Sequence, residues 1–213
     1  MKKIRSYVLL ISLLTVCTGL FPFSFPGSSF LMDKVRDGYH GVRKVFLGDN
    51  FHTVVEGELY RCRQLSMEKM AEYIEEYGIK TVLNLRRPVE DGHDISGLLQ
   101  EEEKMVRGMG LEYYNVPLNT TKMTPVEKLE EILAIFQKAE KPMLIHCLAG
   151  SDRTGEVSAL YKLYKGYTQR EALQELIYGY GHLALFFPKK RQLIANLDTR
   201  YPEFWQEIHH PNE

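Results

Sequence analysis

Met143-Leu144-Ile145, apolar and suited to a buried strand, runs directly into His146-Cys147-Leu148-Ala149-Gly150-Ser151-Asp152-Arg153-Thr154-Gly155, after which apolar residues recur at helical spacing. This is the pattern of a strand, a loop and a helix start. At such a junction successive backbone N–H groups turn into one concavity and the helix N-terminus adds partial positive charge, so an anion is favoured there. Cys147 at the mouth has its thiolate favoured by those N–H groups and by Arg153, which is how a protein prepares a sulfur nucleophile at neutral pH. The planar fork of Arg153 matches two oxygens of a phosphate. Gly150 and Gly155 permit backbone turns that a side chain would obstruct. A structural cysteine beside an ordinary helix start would account for Cys147 but leaves the glycines and Arg153 unexplained.

The flanking segments supply a fold. Phe51 to Val55 and Leu59 to Arg61 are β-prone and joined by Glu56-Gly57-Glu58, as in a hairpin. Ser66 offers an N-cap to a helix carrying Met70, Tyr73, Ile74 and Tyr77 on one face, closed by Gly78. Ile79 to Leu85 and Leu111 to Leu118 read as strands, the first of the buried, parallel kind, and a helix from Ser96 to Met109 separates them. Thr124-Pro125-Val126-Glu127 is a helix start with Thr as cap and Pro at the first helical position, followed by Leu129, Ile132, Leu133 and Phe136 as an apolar face.

Beyond the opening stretch, Glu156 to Lys165 continues into a helix with Val157, Leu160, Tyr161 and Tyr164 as its buried stripe. A capping box at Thr168 and Glu171 opens a helix to Tyr178, and Pro188 to Asn196 and Pro202 to Ile208 read as closing helices. Strands alternating with helices predict an α/β fold with a mainly parallel central sheet flanked by helices.

A chain of 213 residues, 44% of them hydrophobic, can bury the core of one domain. Its 27 basic and 28 acidic residues give a net charge of −1, so no global field draws it to nucleic acid. Cys17, Cys62 and Cys147 show neither metal-site spacing nor a disulfide framework, and no metal is expected. Lys2, Lys3 and Arg5 precede an apolar run from Tyr7 to Leu20, which makes residues 1–30 a signal peptide or signal anchor. Residues 31–48 then form a linker and 49–213 the exported domain, either membrane-tethered or in a periplasmic or lumenal space. In an oxidising space a reactive thiol is at risk, and a reversible Cys62–Cys147 bond is one expectation, a merely packed Cys62 the other.

His146 to Gly155 resembles the signature loop of the cysteine-dependent protein tyrosine phosphatase superfamily: a Cys, five residues, an Arg and then Ser or Thr. Leu59-Tyr60-Arg61 followed by Gln64, then Thr81 to Arg86, Val116-Pro117-Leu118 and the loop look like its small dual-specificity branch, with atypical bacterial and fungal members. Cys62 departs from the Ser expected after that Arg. The resemblance implies a phosphatase that hydrolyses phosphate monoesters through a phosphocysteine, without a cofactor. Cys147 would attack phosphorus. Backbone N–H groups of Leu148, Ala149, Gly150 and Ser151, on to Arg153, would hold the oxygens together with the Arg153 guanidinium. Thr154 would donate to the sulfur, Gly155 would complete the substrate loop, and His146, grouped with it, would order the loop by hydrogen bonding rather than act as a base. Arg86 ends a strand at the sheet edge where ligands collect; it either helps to hold the substrate or pairs with Glu90 or Asp91.

Relatives place an aspartic acid after the strand that matches Val116-Pro117, whereas Pro117 to Thr124 here contains no carboxylate. Asp152 is the preferred general acid, as in the Asp-Arg-Thr loops of myotubularin-like and Sac-type phosphoinositide phosphatases. Its alternative role is to position Arg153, with Asp91 and Asp94 as reserve acids. That loop points to phosphoinositides, inositol phosphates or other phospholipid head groups, although Ser151 stands where many inositide enzymes carry Lys. Phosphotyrosyl proteins, exported or of a host, are the alternative substrate. An inactive phosphate-binding module is the alternative of another class.

Overall fold

The computed structural model describes residues 38–39 and 47–209. The leader at 1–30 and most of the linker at 31–48 lie outside the described residues, among which no helix is long and apolar enough to cross a membrane.

Strands β1 (His52–Val55) and β2 (Leu59–Arg63) form the expected antiparallel hairpin, followed by helix α1 (Met67–Glu76) and strand β3 (Thr81–Asn84). A short hairpin, β4 (Val89–Glu90) and β5 (His93–Asp94), precedes α2 (Ser96–Gly108), β6 (Glu112–Asn115) and α3 (Val126–Lys138). Strand β7 (Met143–Cys147) then leads into α4 (Asp152–Tyr164), the single turn α5 (Gln169–Ala172), and closing helices α6 (Pro188–Ala195), α7 (Leu197–Arg200) and α8 (Pro202–His209). The main sheet has the order β1-β2-β7-β3-β6, parallel except at β1. Strand β7 is therefore central and buried along its whole length, which its unbroken apolar approach dictates.

Alternation along β7 divides the interior in two. Ile145 and Cys147 face a core shared with Leu129, Ile132 and Phe136 of α3, Val157 and Leu160 of α4, and Leu193, Phe204 and Ile208 of the closing helices. Leu144 packs on the other side with Tyr60, Cys62, Met70, Ile74 and Val106, beneath α1 and α2. Cys62 and Cys147 are both free thiols on neighbouring strands, and each sits in a different core. Of the two expectations for Cys62, the packed residue is the one the fold shows.

Several sequence expectations are corrected by tertiary contacts. Helix α3 starts at Val126 with Pro125 in the cap position, because the Thr124 hydroxyl is turned inward to donate to Glu156 Oε2 at 2.8 Å and accept from Lys190 Nζ at 2.9 Å. Helix α4 has no single buried stripe: it is covered almost all round from Asp152 to Tyr161, as a helix between the sheet and the closing helices must be. The helix expected up to Tyr178 stops at Ala172 and gives way to 3₁₀ turns at Leu173–Glu175 and Tyr178–Tyr180. Glu175 explains the break. Its buried carboxylate is held by Arg61 at 2.7 Å and Lys162 at 2.5 Å, and its carbonyl accepts from Arg61 Nη1 at 3.0 Å.

Candidate active site

The centre of the site is the C-terminal end of β7 and the loop to α4. Three outside donors hold the loop's carbonyls: Gln64 N–H donates to Leu148 O at 3.2 Å, Asn50 Nδ2 to Ala149 O at 3.0 Å, and Arg61 Nη2 to Gly150 O at 2.7 Å. In a planar trans peptide the following N–H points the opposite way. The N–H groups of Ala149, Gly150 and Ser151 are thus turned away from these donors, toward the loop's interior, as an anion cradle requires. Gly150 makes this possible at φ +68°, where an added Cβ would lie 2.5 Å from Cys62 O and 2.7 Å from Arg63 N. The loop rests directly on the end of β2.

Cys147 is only 2% exposed. Burial pushes its thiol up, but the Arg153 charge and hydrogen bonding from Thr154 outweigh it and hold the thiol below its ordinary value. The buried Thr154 hydroxyl has no competing hydrogen-bond partner and acts on the Cys147 sulfur. Cys62 shows the contrast: burial and then the Glu102 charge push its thiol well above the ordinary range.

Arg153 is fixed by Glu90, a residue distant from it in sequence. Its Nη1 donates to Glu90 Oε1 and, at 3.3 Å, to Leu85 O. Burial resists a charge on Glu90, but Arg153, the Arg87 N–H and Arg86 hold its carboxyl below the usual range. The β4–β5 hairpin delivers Glu90 through positive φ at Asp91 and Gly92. Asp-Gly is a strong hairpin signal, and it was present in the sequence.

Three residues grouped with the substrate loop make their contacts behind it. His146 points to the α2 side, where Nε2 meets Glu102 Oε1 at 2.9 Å, because alternation along β7 sends it away from Cys147. Glu102 also accepts from Asn84 at 2.6 Å, Gln64 at 2.5 Å and Tyr113 at 3.1 Å. Gly155 contacts the back of the site: an added Cβ would lie 2.7 Å from Glu175 O, so its smallness admits the 173–176 segment against α4. Arg86 is buried and pairs with Glu90 at 3.0 Å and Gln64 at 3.1 Å, which realises the pairing alternative. A connected path thus runs from His146 through Glu102, Gln64, Arg86 and Glu90 to Arg153.

Asp152 is buried beside the cradle, close enough to both Cys147 and Arg153 to couple to them electrostatically. Its Oδ1 lies 2.9 Å from Nδ1 of His182, a residue to which no motif in the sequence points. Asp91 and Asp94 are exposed, and Asp94 Oδ1 caps the next turn by accepting from Ser96 N–H at 2.8 Å.

Residues 46–178 match the sequence model of the family described as the tyrosine phosphatase family. The chain belongs to that family. It is a phosphoric monoester hydrolase of the cysteine-dependent, dual-specificity-like kind, and its substrate is phosphorylated. Among solved structures, TpbA of P. aeruginosa in complex with pTyr superposes with a TM-score of 0.59 at 17% identity, covering 78% of this chain and 92% of that one. At that identity the likeness shows the tyrosine phosphatase fold alone. The core catalytic domain of the PP-IP phosphatase SIW14 from S. cerevisiae, in complex with citrate, gives 0.53 at 26% identity, covering 72% of this chain and 88% of that one. No curated protein matches the chain by sequence.

Proposed function

We propose that this tyrosine phosphatase family member hydrolyses a phosphate monoester carried on an inositol or phospholipid head group, through a phosphocysteine intermediate. The observation that carries the mechanism is the pairing of a buried thiol held below its ordinary value with Arg153 and Thr154 at one loop. The Cys147 thiolate attacks phosphorus in line and forms an S–P bond as the P–O bond to the leaving group breaks. Arg153 and the loop N–H groups stabilise the charge developing on the equatorial oxygens. Asp152 gives its proton to the leaving oxygen. It then takes one from the water that cleaves the S–P bond, releasing phosphate and regenerating the thiolate. With residues 1–30 read as a leader, the site works on the exported side of a membrane.

The likeness to a PP-IP phosphatase, at 26% identity, supports the inositol side of the substrate reading. Phosphotyrosyl protein is the second reading, supported by the family description. A panel of p-nitrophenyl phosphate, inositol phosphates, phosphoinositides and a phosphotyrosyl peptide tests both, with Cys147→Ser as control. The expected result is Cys147-dependent turnover of p-nitrophenyl phosphate and a higher kcat/KM on the inositol compounds than on the peptide. The reverse preference would favour the second reading. No Cys147-dependent turnover of any substrate would leave a phosphate-binding module.

A further inference from the structure

The residues matched by the family end at 178, yet the chain beyond them reaches the signature loop. The 3₁₀ turn Tyr178–Tyr180 is followed by Gly181 at φ +75°, and the His182 N–H folds back to donate to Ile177 O at 3.1 Å. Tyr180 O meanwhile accepts from Asn50 Nδ2 at 3.2 Å, the same amide that holds Ala149 O. This turn is therefore built against the cradle, and it places the imidazole of His182, 2% exposed, on Asp152 at 2.9 Å. His182 Nε2 is buried without a hydrogen-bond partner. A buried polar atom left unpaired costs stability. A histidine kept only for packing would not be expected to bear that cost while spending its other nitrogen on an aspartate beside the nucleophile.

We propose that His182 is a positioning residue for Asp152, an inference that rests on Asp152 being the general acid. His182 keeps its Nδ1–H throughout and donates it to Asp152 Oδ1. This fixes the carboxyl's rotation, so that its other oxygen carries the proton to the leaving group. After the transfer the same N–H steadies the carboxylate until water returns a proton to it. Glu90 already holds Arg153, so the clamp does not require Asp152 as its support.

The test compares two side chains in one site across two leaving groups. An asparagine amide overlays imidazole Nδ1, whereas a glutamine amide overlays Nε2, so His182→Asn keeps the donor to Asp152 and His182→Gln loses it. A general acid is worth 10²–10⁴-fold on a poor leaving group, so His182→Gln should lower kcat on phenyl phosphate about tenfold or more. Turnover of p-nitrophenyl phosphate, whose leaving group needs little help, should change much less, with KM unchanged for both. His182→Asn should recover most of the phenyl phosphate rate, and His182→Gln should add little to Asp152→Asn.

Equal losses on the two substrates, or an Asn variant as impaired as the Gln variant, would overturn the positioning role. A leaving-group effect in Asp152→Asn without one in His182→Gln would overturn that role alone. No such effect in Asp152→Asn would overturn the acid reading as well, while Cys147-dependent turnover would still stand.

Discussion

At Cys147 the desolvation penalty on a buried thiolate is set against a fixed guanidinium and a threonine hydroxyl, and the guanidinium and hydroxyl win. Cys62, buried one strand away, has the Glu102 charge nearby instead and loses the same contest. Iodoacetamide should therefore alkylate Cys147 with a pH midpoint below that of an ordinary thiol, at about 8.5, while Cys62 stays unmodified in the folded protein. Arg153→Ala should raise the Cys147 midpoint, and peptide mapping across a pH series reads both effects. Cys147 and Arg153 were legible in the sequence because the chemistry that joins them is local. Their support was not: Glu90 reaches Arg153 from 63 positions away, and no spacing rule links residues so far apart. Asp152 was legible as a candidate, but its contact with His182 arises only from the way the chain folds back.

Among the elements, the cradle depends on how closely a loop can lie on a strand end. Gly150→Ala combines a positive φ with a Cβ 2.5 Å from Cys62 O, a backbone atom that cannot step aside. The loop must lift, breaking the Arg61 contact to Gly150 O and turning its N–H groups from the phosphate. The expected outcome is a loss of about a hundredfold or more in kcat/KM on p-nitrophenyl phosphate, in line with losing oxyanion donors. The melting temperature should fall by only a few degrees, as for a change of about 1–3 kcal/mol, and calorimetry beside steady-state kinetics checks both. Helix α1 follows from its cap and periodicity, and α2, α6 and α8 agree with their expected ranges within a few residues. The segment after Ala172 was misread because the buried pairing of Arg61 with Glu175 outweighs the helical preference of its sequence. The β4–β5 hairpin has a local signal in Asp91-Gly92, but its strands of two residues each are too short to show a period.

For the whole molecule, alternation of strands and helices gave the layer architecture. It could not give the strand order, since parallel crossovers of similar length permit several. The order that forms places β7 between β2 and β3 and roots the signature loop in a buried polar network around Glu102. Burial alone would raise the Glu102 carboxyl, but His146, Gln64 and Asn84 bring it down to about 2. A carboxyl depressed on folding stabilises the native state above its unfolded pKa, near 4.3, and loses that contribution as pH falls toward the folded value. Urea unfolding should show stability falling between about pH 4.5 and 2, and Glu102→Gln should flatten that limb while costing on the order of 3 kcal/mol at pH 7. The sheet that carries this network also keeps Cys62 and Cys147 in separate cores. A sulfenic acid formed on Cys147 has no second thiol in its own core among the described residues with which to condense. It would condense with a neighbouring backbone nitrogen or with a small thiol entering past the partly exposed Leu148 and Ala149, and excess peroxide would carry it on to the irreversible sulfinic state.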